Sequence, residues 1–191
     1  MCYLSEPLMA GPFLRNRQVE EVSNKTLNIN LRPVGPEDEA FLYEVYRSTR
    51  AEELAAWGWD AAQQEFFLKM QLRARDQSHL MYYTGITDSI ILFDNTRAGR
   101  IITSRTDEEI RLVDISLLPG YRGAGIGTSL LKDLFAEADR TERVVRLQVE
   151  KTNAEARRLY ERMGFQVTSE NQTHFQMERR AGRNEGMRAE G

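Results

Sequence analysis

Between residues 27 and 178 the chain switches repeatedly between two periods of apolar residues. Leu27, Ile29 and Leu31 are separated by single polar residues, which predicts a half-buried strand. Gly35-Pro36 ends that pattern. Glu37, Asp38 and Glu39 then form an acidic first turn for a helix carrying Phe41, Leu42, Val45 and Tyr46 on one face. After Trp57-Gly58-Trp59 a second helix is expected, with Phe66, Phe67 and Met70 as its apolar residues. Ser89–Phe93 and Arg100–Ser104 flank Asn95-Thr96-Arg97-Ala98-Gly99 and read as a hairpin. A longer strand runs from about Ile110 to Leu118 and stops at Pro119-Gly120.

The second half has a stronger helical signal. Ile126, Leu130, Leu131, Leu134, Phe135 and Ala138 recur at the spacing of one helix face. Val145, Leu147 and Val149 alternate as a strand. Ala156, Leu159, Tyr160 and Met163 form another helical stripe, capped by Thr152 or Asn153 and closed by Gly164. Phe165–Thr168 and Thr173–Met177 suggest a last hairpin. The order β-α-α-β-β-β-α-β-α-β-β predicts a single α/β domain over 26–178. Its mixed, predominantly antiparallel sheet should have about seven strands flanked by about four helices. Residues 1–25 and 179–191 lack either period and are expected to be loose extensions.

Composition narrows the function without choosing it. With 191 residues, 41% hydrophobic and 29% charged, the chain can bury a full core. No apolar run approaches the ~20 residues that cross a bilayer, and the first residues lack a basic-then-apolar leader pattern. One cysteine, Cys2, and two histidines, His79 and His174, give no disulfide and no metal-ligand spacing. The net charge of −3 gives no basic face for nucleic acid. The expectation is a cytoplasmic protein without metal, nucleic-acid or membrane partners.

The most informative stretch is Pro119-Gly120-Tyr121-Arg122-Gly123-Ala124-Gly125-Ile126-Gly127-Thr128, between a strand and the most amphipathic helix. Alternate glycines let backbone N–H groups approach a ligand, and the following helix adds unpaired donors and a positive dipole end. That combination suits a pyrophosphate. A dinucleotide fingerprint fails because the sixth position from Gly123 is Thr128, and a nucleotide P-loop fails because no lysine follows. A plain tight turn is the remaining alternative.

Arg122-Gly123-Ala124-Gly125-Ile126-Gly127 resembles the R-x-x-G-x-G/A signature of the GNAT superfamily of N-acetyltransferases. Asn153, Ala156, Leu159, Tyr160, Gly164 and Phe165 resemble that family's later N-x-x-A-x-x-L-Y-x-x-x-G-F motif. The resemblance implies that acetyl-CoA lies in a splay between the fourth and fifth strands. Ile115, Ser116 and Leu117 would then meet the pantetheine arm, and Arg122 to Thr128 the pyrophosphate. It also implies that Tyr160 stands near the sulfur and that Asn153 faces the cofactor, although either side chain can be read as packing or capping alone. For the base, Asp114 and Glu109 are candidates; either can instead be a solvated charge, and a regular strand puts Asp114 opposite Ile115 and Leu117. His79 has a suitable titration range but reads as a loop residue before a strand. Trp57 and Trp59, with acidic neighbours, could receive a cationic amine or only staple helices. The implied reaction is direct acetyl transfer to a primary amine of a small molecule, by a monomer or homodimer. The alternatives are a protein or aminoacyl-tRNA amine as acceptor, or an acyl-CoA-binding module without turnover.

Overall fold

The computed structural model describes residues 27–50, 53–54 and 58–181. The expectations for residues 1–25, for Trp57 and for the tail from 182 lie outside the described residues. Seven strands, β1 (Ile29–Pro33), β2 (Ile86–Phe93), β3 (Thr96–Arg105), β4 (Glu109–Leu117), β5 (Val144–Glu150), β6 (Gln166–Glu170) and β7 (His174–Arg179), form one sheet in the order β1-β2-β3-β4-β5-β7-β6. Accompanying them are the helices α1 (Glu39–Thr49), α2 (Ala61–Tyr82), α3 (Ile126–Thr141) and α4 (Ala154–Arg162). Neighbouring strands are antiparallel except β4 and β5, which α3 joins as a parallel crossover. The expected mixed α/β architecture is therefore the observed one.

Strand alternation puts a core on each face of the sheet. On β2, Ile91 joins a cluster with Ile101, Ile110, Leu112, Val145 and Leu147. The α3 stripe Ile126, Leu130, Leu131, Leu134, Phe135 and Ala138 is buried in the same cluster, as its spacing predicts. Its neighbour Ile90 faces Phe41 and Val45 of α1. Asp38 ends the 3-10 turn Pro36–Asp38 and caps α1, and it is wholly buried. Two bonds of 2.8 Å from Arg32 and the Gly35 N–H at 2.9 Å satisfy its carboxylate. These partners, the Arg32 guanidinium above all, hold the Asp38 pKa well below the usual carboxylate range, against the opposing pull of burial.

Three local expectations differ from the structure. The β2–β3 connection is a two-residue turn, not five. Asp94 and Asn95 both have positive φ (49° and 62°), which matches the twist of a hairpin and lets β3 begin at Thr96. Leu31 is half exposed because β1 is an edge strand. On α2 the buried residues are Leu68 and Leu72, whereas Phe66 and Met70 are exposed at 74% and 50%. Charge fixes that helix. Arg100 of β3, 4% exposed, bonds Asp88 of β2 at 2.9 and 2.6 Å and Asp76 of α2 at 2.9 Å. A buried guanidinium shared by two carboxylates ties α2 to the sheet where few apolar contacts do so.

Candidate active site at the parting of two strands

The backbone of β4 carries one extra residue. Ile102 of β3 pairs with Asp114 and the next residue, Thr103, with Leu112, so Val113 bulges out. The bulge resets the alternation. Ile110 and Leu112 before it, and Ile115 and Leu117 after it, all meet the α3 core, while Asp114 lies between in the opposite phase. The separation expected of Asp114 from Ile115 and Leu117 therefore holds beyond the bulge.

At the same place β4 and β5 part. Their parallel pairing runs from Glu109↔Val144 to Leu112↔Leu147 and goes no further, although both strands continue. The gap is a cleft of ≈ 270 Å³. Val113, Asp114 and Ile115 line one edge and Gln148, Val149 and Glu150 the other. Asn153, Ala156 and Tyr160 of α4 contribute to it, as do His79 and Tyr83 from the end of α2. Main-chain groups of β4 beyond Leu112 are thereby available to an extended ligand as to an added strand.

The glycine loop lies where β4 ends. After the 3-10 turn Pro119–Tyr121, Gly123 and Gly125 take φ of +73° and +83°. Among the described residues, a Cβ at Gly123 would meet nothing within 4 Å, and one at Gly125 only Leu27 Cδ1 at 3.5 Å. The conformation demands glycine, and the space on that side is open. No side chain caps α3, whose first helical bond runs from the Ser129 N–H to the Gly125 carbonyl at 3.0 Å. The amides of Ile126, Gly127 and Thr128 thus have no helical acceptor. Arg122 turns inward: Nε donates to the Leu117 carbonyl (2.9 Å) and Nη2 to Ser48 O and Oγ (both 3.2 Å). Its side chain braces the loop against β4 and α1.

Tyr160 is 8% exposed and packs edge-on against Phe165 with ring centroids 5.7 Å apart. Burial first, and the charge of Asp114 second, push its phenol up to about 12, so it stays protonated at neutral pH. Asn153 caps α4 by accepting the Ala156 N–H at 3.0 Å, and it also borders the cleft. Asp114 accepts a bond from Ser116 Oγ at 3.2 Å, with Arg75 Nη2 at 3.8 Å.

Other expected site residues stand elsewhere. Glu109 is at the paired end of β4, bonded by Arg111 Nε (2.8 Å) and by Arg146, and it does not border the cleft. Trp59 precedes α2, 42% exposed and edge-on to Phe67 at 5.2 Å, and likewise does not line the cleft. His79, expected in a loop, is in the last turn of α2 and does line it. His174, Tyr83 and Gln148 also line it: pairing across the sheet brings His174 and Gln148 there, and the end of α2 brings Tyr83. Among the described residues no cluster of His, Cys, Asp or Glu could hold a metal, and no helix is long and apolar enough to cross a membrane.

Residues 41–165 match the acetyltransferase (GNAT) family. The fold resembles the PaiA N-acetyltransferase from Thermoplasma acidophilum, solved in complex with coenzyme A, at 23% identity and a TM-score of 0.58. That match covers 80% of this chain and 98% of the other. An acetyltransferase from Thermus thermophilus aligns at 18% identity and a TM-score of 0.59, over 80% of this chain and 96% of its own. The ribosomal-protein-S18-alanine N-acetyltransferase from Escherichia coli gives 19% and 0.55, over 82% and 97%.

Proposed function

The chain belongs to the GNAT acetyltransferase family, and on that basis we propose that it transfers the acetyl group of acetyl-CoA by direct attack of a small-molecule primary amine. The observation that carries this reading is the termination of β4–β5 pairing at Leu112↔Leu147 beside an uncapped helix N-terminus. An extended thioester arm and a pyrophosphate need those two features, adjacent and in that order. Acetyl-CoA supplies the activated acetyl group when bound; the chain supplies position, hydrogen bonds and protons.

The amides of Gly123 to Thr128 hold the pyrophosphate, with Arg122 fixing the loop. The β4 backbone at Ile115, Ser116 and Leu117 aligns the arm, and a main-chain N–H near Leu117 polarises the thioester carbonyl. Tyr160 keeps its hydroxyl proton up to about pH 12 and borders the cleft, which supports a role as hydrogen-bond donor to the departing sulfur. The Asp114 carboxylate draws the cationic amine to the cleft. Asn153 borders the reacting region while capping α4.

Calorimetry of acetyl-CoA binding to the wild type and to Gly125→Glu tests the cofactor site. We expect saturable binding by the first and at least about a 100-fold weaker constant for the second, because the loop then carries a strained backbone and a repelling charge. A folded wild type that binds no acetyl-CoA would overturn the reading. Thiol release with spermidine, glycinamide, kanamycin and an alanyl-serine dipeptide then samples acceptors, the dipeptide representing a protein α-amine.

A further inference from the structure

Arg75 and His79 are one turn apart on α2. Among the described residues, Arg75 Nε and His79 Nδ1 are the buried side-chain polar atoms that lack a hydrogen-bond partner. Leaving such an atom buried and unpaired is unfavourable, so two of them in adjacent turns require an explanation. Arg75 is close to carboxylates without bonding them: Nη2 is 3.8 Å from Asp114 and Nε 3.9 Å from Asp76. Its guanidinium instead lies 4.8 Å from the centre of the Tyr46 ring. His79 Nε2 has no hydrogen bond to a described residue either, so no partner fixes the ring's tautomer.

The surroundings of His79 suit a proton acceptor. Arg75 and Asp76 face it from its own helix, Arg100 from β3 and Asp114 from β4. Tyr83, Arg111, Glu150, Tyr160 and His174 share its cleft. Burial first, then the charge of Arg75, lowers its pKa below 6.5, so the imidazole is neutral at pH 7 and carries a free lone pair. Asp114 opposes that shift, and so stabilises the imidazolium once it forms.

We propose that His79 is the catalytic base of the acetyl transfer, accepting a proton from the acceptor's ammonium group directly or through one water, with Arg75 as the residue that tunes it. The inference rests on the acetyl-transfer reading given above. An ammonium N–H bond breaks and an imidazole N–H bond forms, leaving a neutral amine. The amine's C–N bond then forms as the thioester C–S bond breaks. A second nitrogen proton reaches the sulfur by way of the Tyr160 hydroxyl, which gives up its own proton and takes that one. His79 returns its proton to solvent, so the products are an amide, a thiol and one released proton. Imidazole is better matched to this task at neutral pH than a carboxylate, because its titration range lies closer to that of an amine.

His79 and His174 are the two histidines of the chain, so NMR of their ring carbon-bound protons resolves two titrations, assigned with His79→Gln. In protein saturated with coenzyme A, the His79 midpoint is expected below 6.5, and Arg75→Gln should raise it. A wild-type midpoint above about 7 would overturn the proposal with no acceptor needed. Kinetics use whichever of the four probe amines the thiol-release assay turns over fastest. His79→Gln should lower kcat about 100-fold near neutral pH with KM changed less than about threefold, and the deficit should narrow as pH approaches about 10 and the amine sheds its own proton. A deficit constant across pH, or more than half of kcat retained, would mean that His79 only packs. Coenzyme A calorimetry serves as the folding control, and His79→Asn replaces the glutamine variant if that one fails to fold. Loss of acetyl-CoA binding by the wild type would instead refute the acetyl-transfer reading.

Discussion

Over Glu109–Leu112, β4 is bonded to a strand on either side, whereas from Val113 to Leu117 it keeps β3 and has no β5. The paired end is laced by charge: Arg111 and Arg146 meet at Glu109, and Arg146 Nε reaches Glu178 at 2.9 Å. Its Ile110 and Val145 are fully buried. At the open end Asp114, Tyr160 and His79 share a cleft instead. On the proposed reading, one strand serves stability over its first four residues and ligand binding over its last five. A hydrogen-bonded edge is also a ready receptor for an extended ligand once its neighbour departs, and the closed end holds the two strands in place while they diverge.

Substitutions that act on one end and spare the other test this division. Ile110→Ala should have the largest effect, destabilising the fold by about 3 kcal/mol because it empties a core position, while acetyl-CoA affinity in the folded fraction stays within about threefold. Chemical denaturation beside calorimetry would check both; a large loss of affinity at unchanged stability would erase the distinction. Tyr160→Phe belongs to the open end. We expect kcat to fall about 30-fold with cofactor binding unchanged, since the ring is kept and the hydroxyl lost. Equal losses of binding and rate would make the tyrosine a packing residue only.

The smallest effect is expected at Glu109. Burial pushes its carboxyl up, but the bonds from Arg111 and Arg146 outweigh that and hold it below the ordinary 4.5. The stability from this depressed pKa is fully present above pH 4.5 and is lost as pH falls through the folded value. Glu109→Gln should cost under about 1 kcal/mol at neutral pH and flatten the acid decline of the melting temperature, with the pH profile of kcat unchanged. A shifted rate profile would bring Glu109 into the chemistry.

The α3 stripe and the glycine loop were legible because a single helix face and a φ-demanding turn leave direct marks on composition. The phase of α2 was not. Phe66 and Met70 look like core residues, yet the helix is seated by Arg100 and Asp76, and an ion pair has no period to read. His79 reads as a loop residue in the sequence because nothing local marks that α2 extends past it to Tyr82 and carries it into the cleft. The end of β4–β5 pairing was expected only through family resemblance. Nothing in the residues around Leu112 and Val113 marks the place where two strands separate, because that depends on partners distant in the chain.

The bulge at Val113 bears on how this strand can change over evolutionary time. Exchanging one apolar residue for another along β4 leaves every side chain on its own face. An in-frame loss of the single codon for Val113 takes out the extra residue and restores a regular ladder in which Ile110, Leu112, Ile115 and Leu117 still share the face toward the α3 core, whereas straightening the strand with every residue kept would turn Ile115 and Leu117 outward. Length and bulge should therefore vary together: lineages of this domain with a regular fourth strand should be one residue shorter between Ile110 and Leu117, and those that keep the full count should keep the bulge.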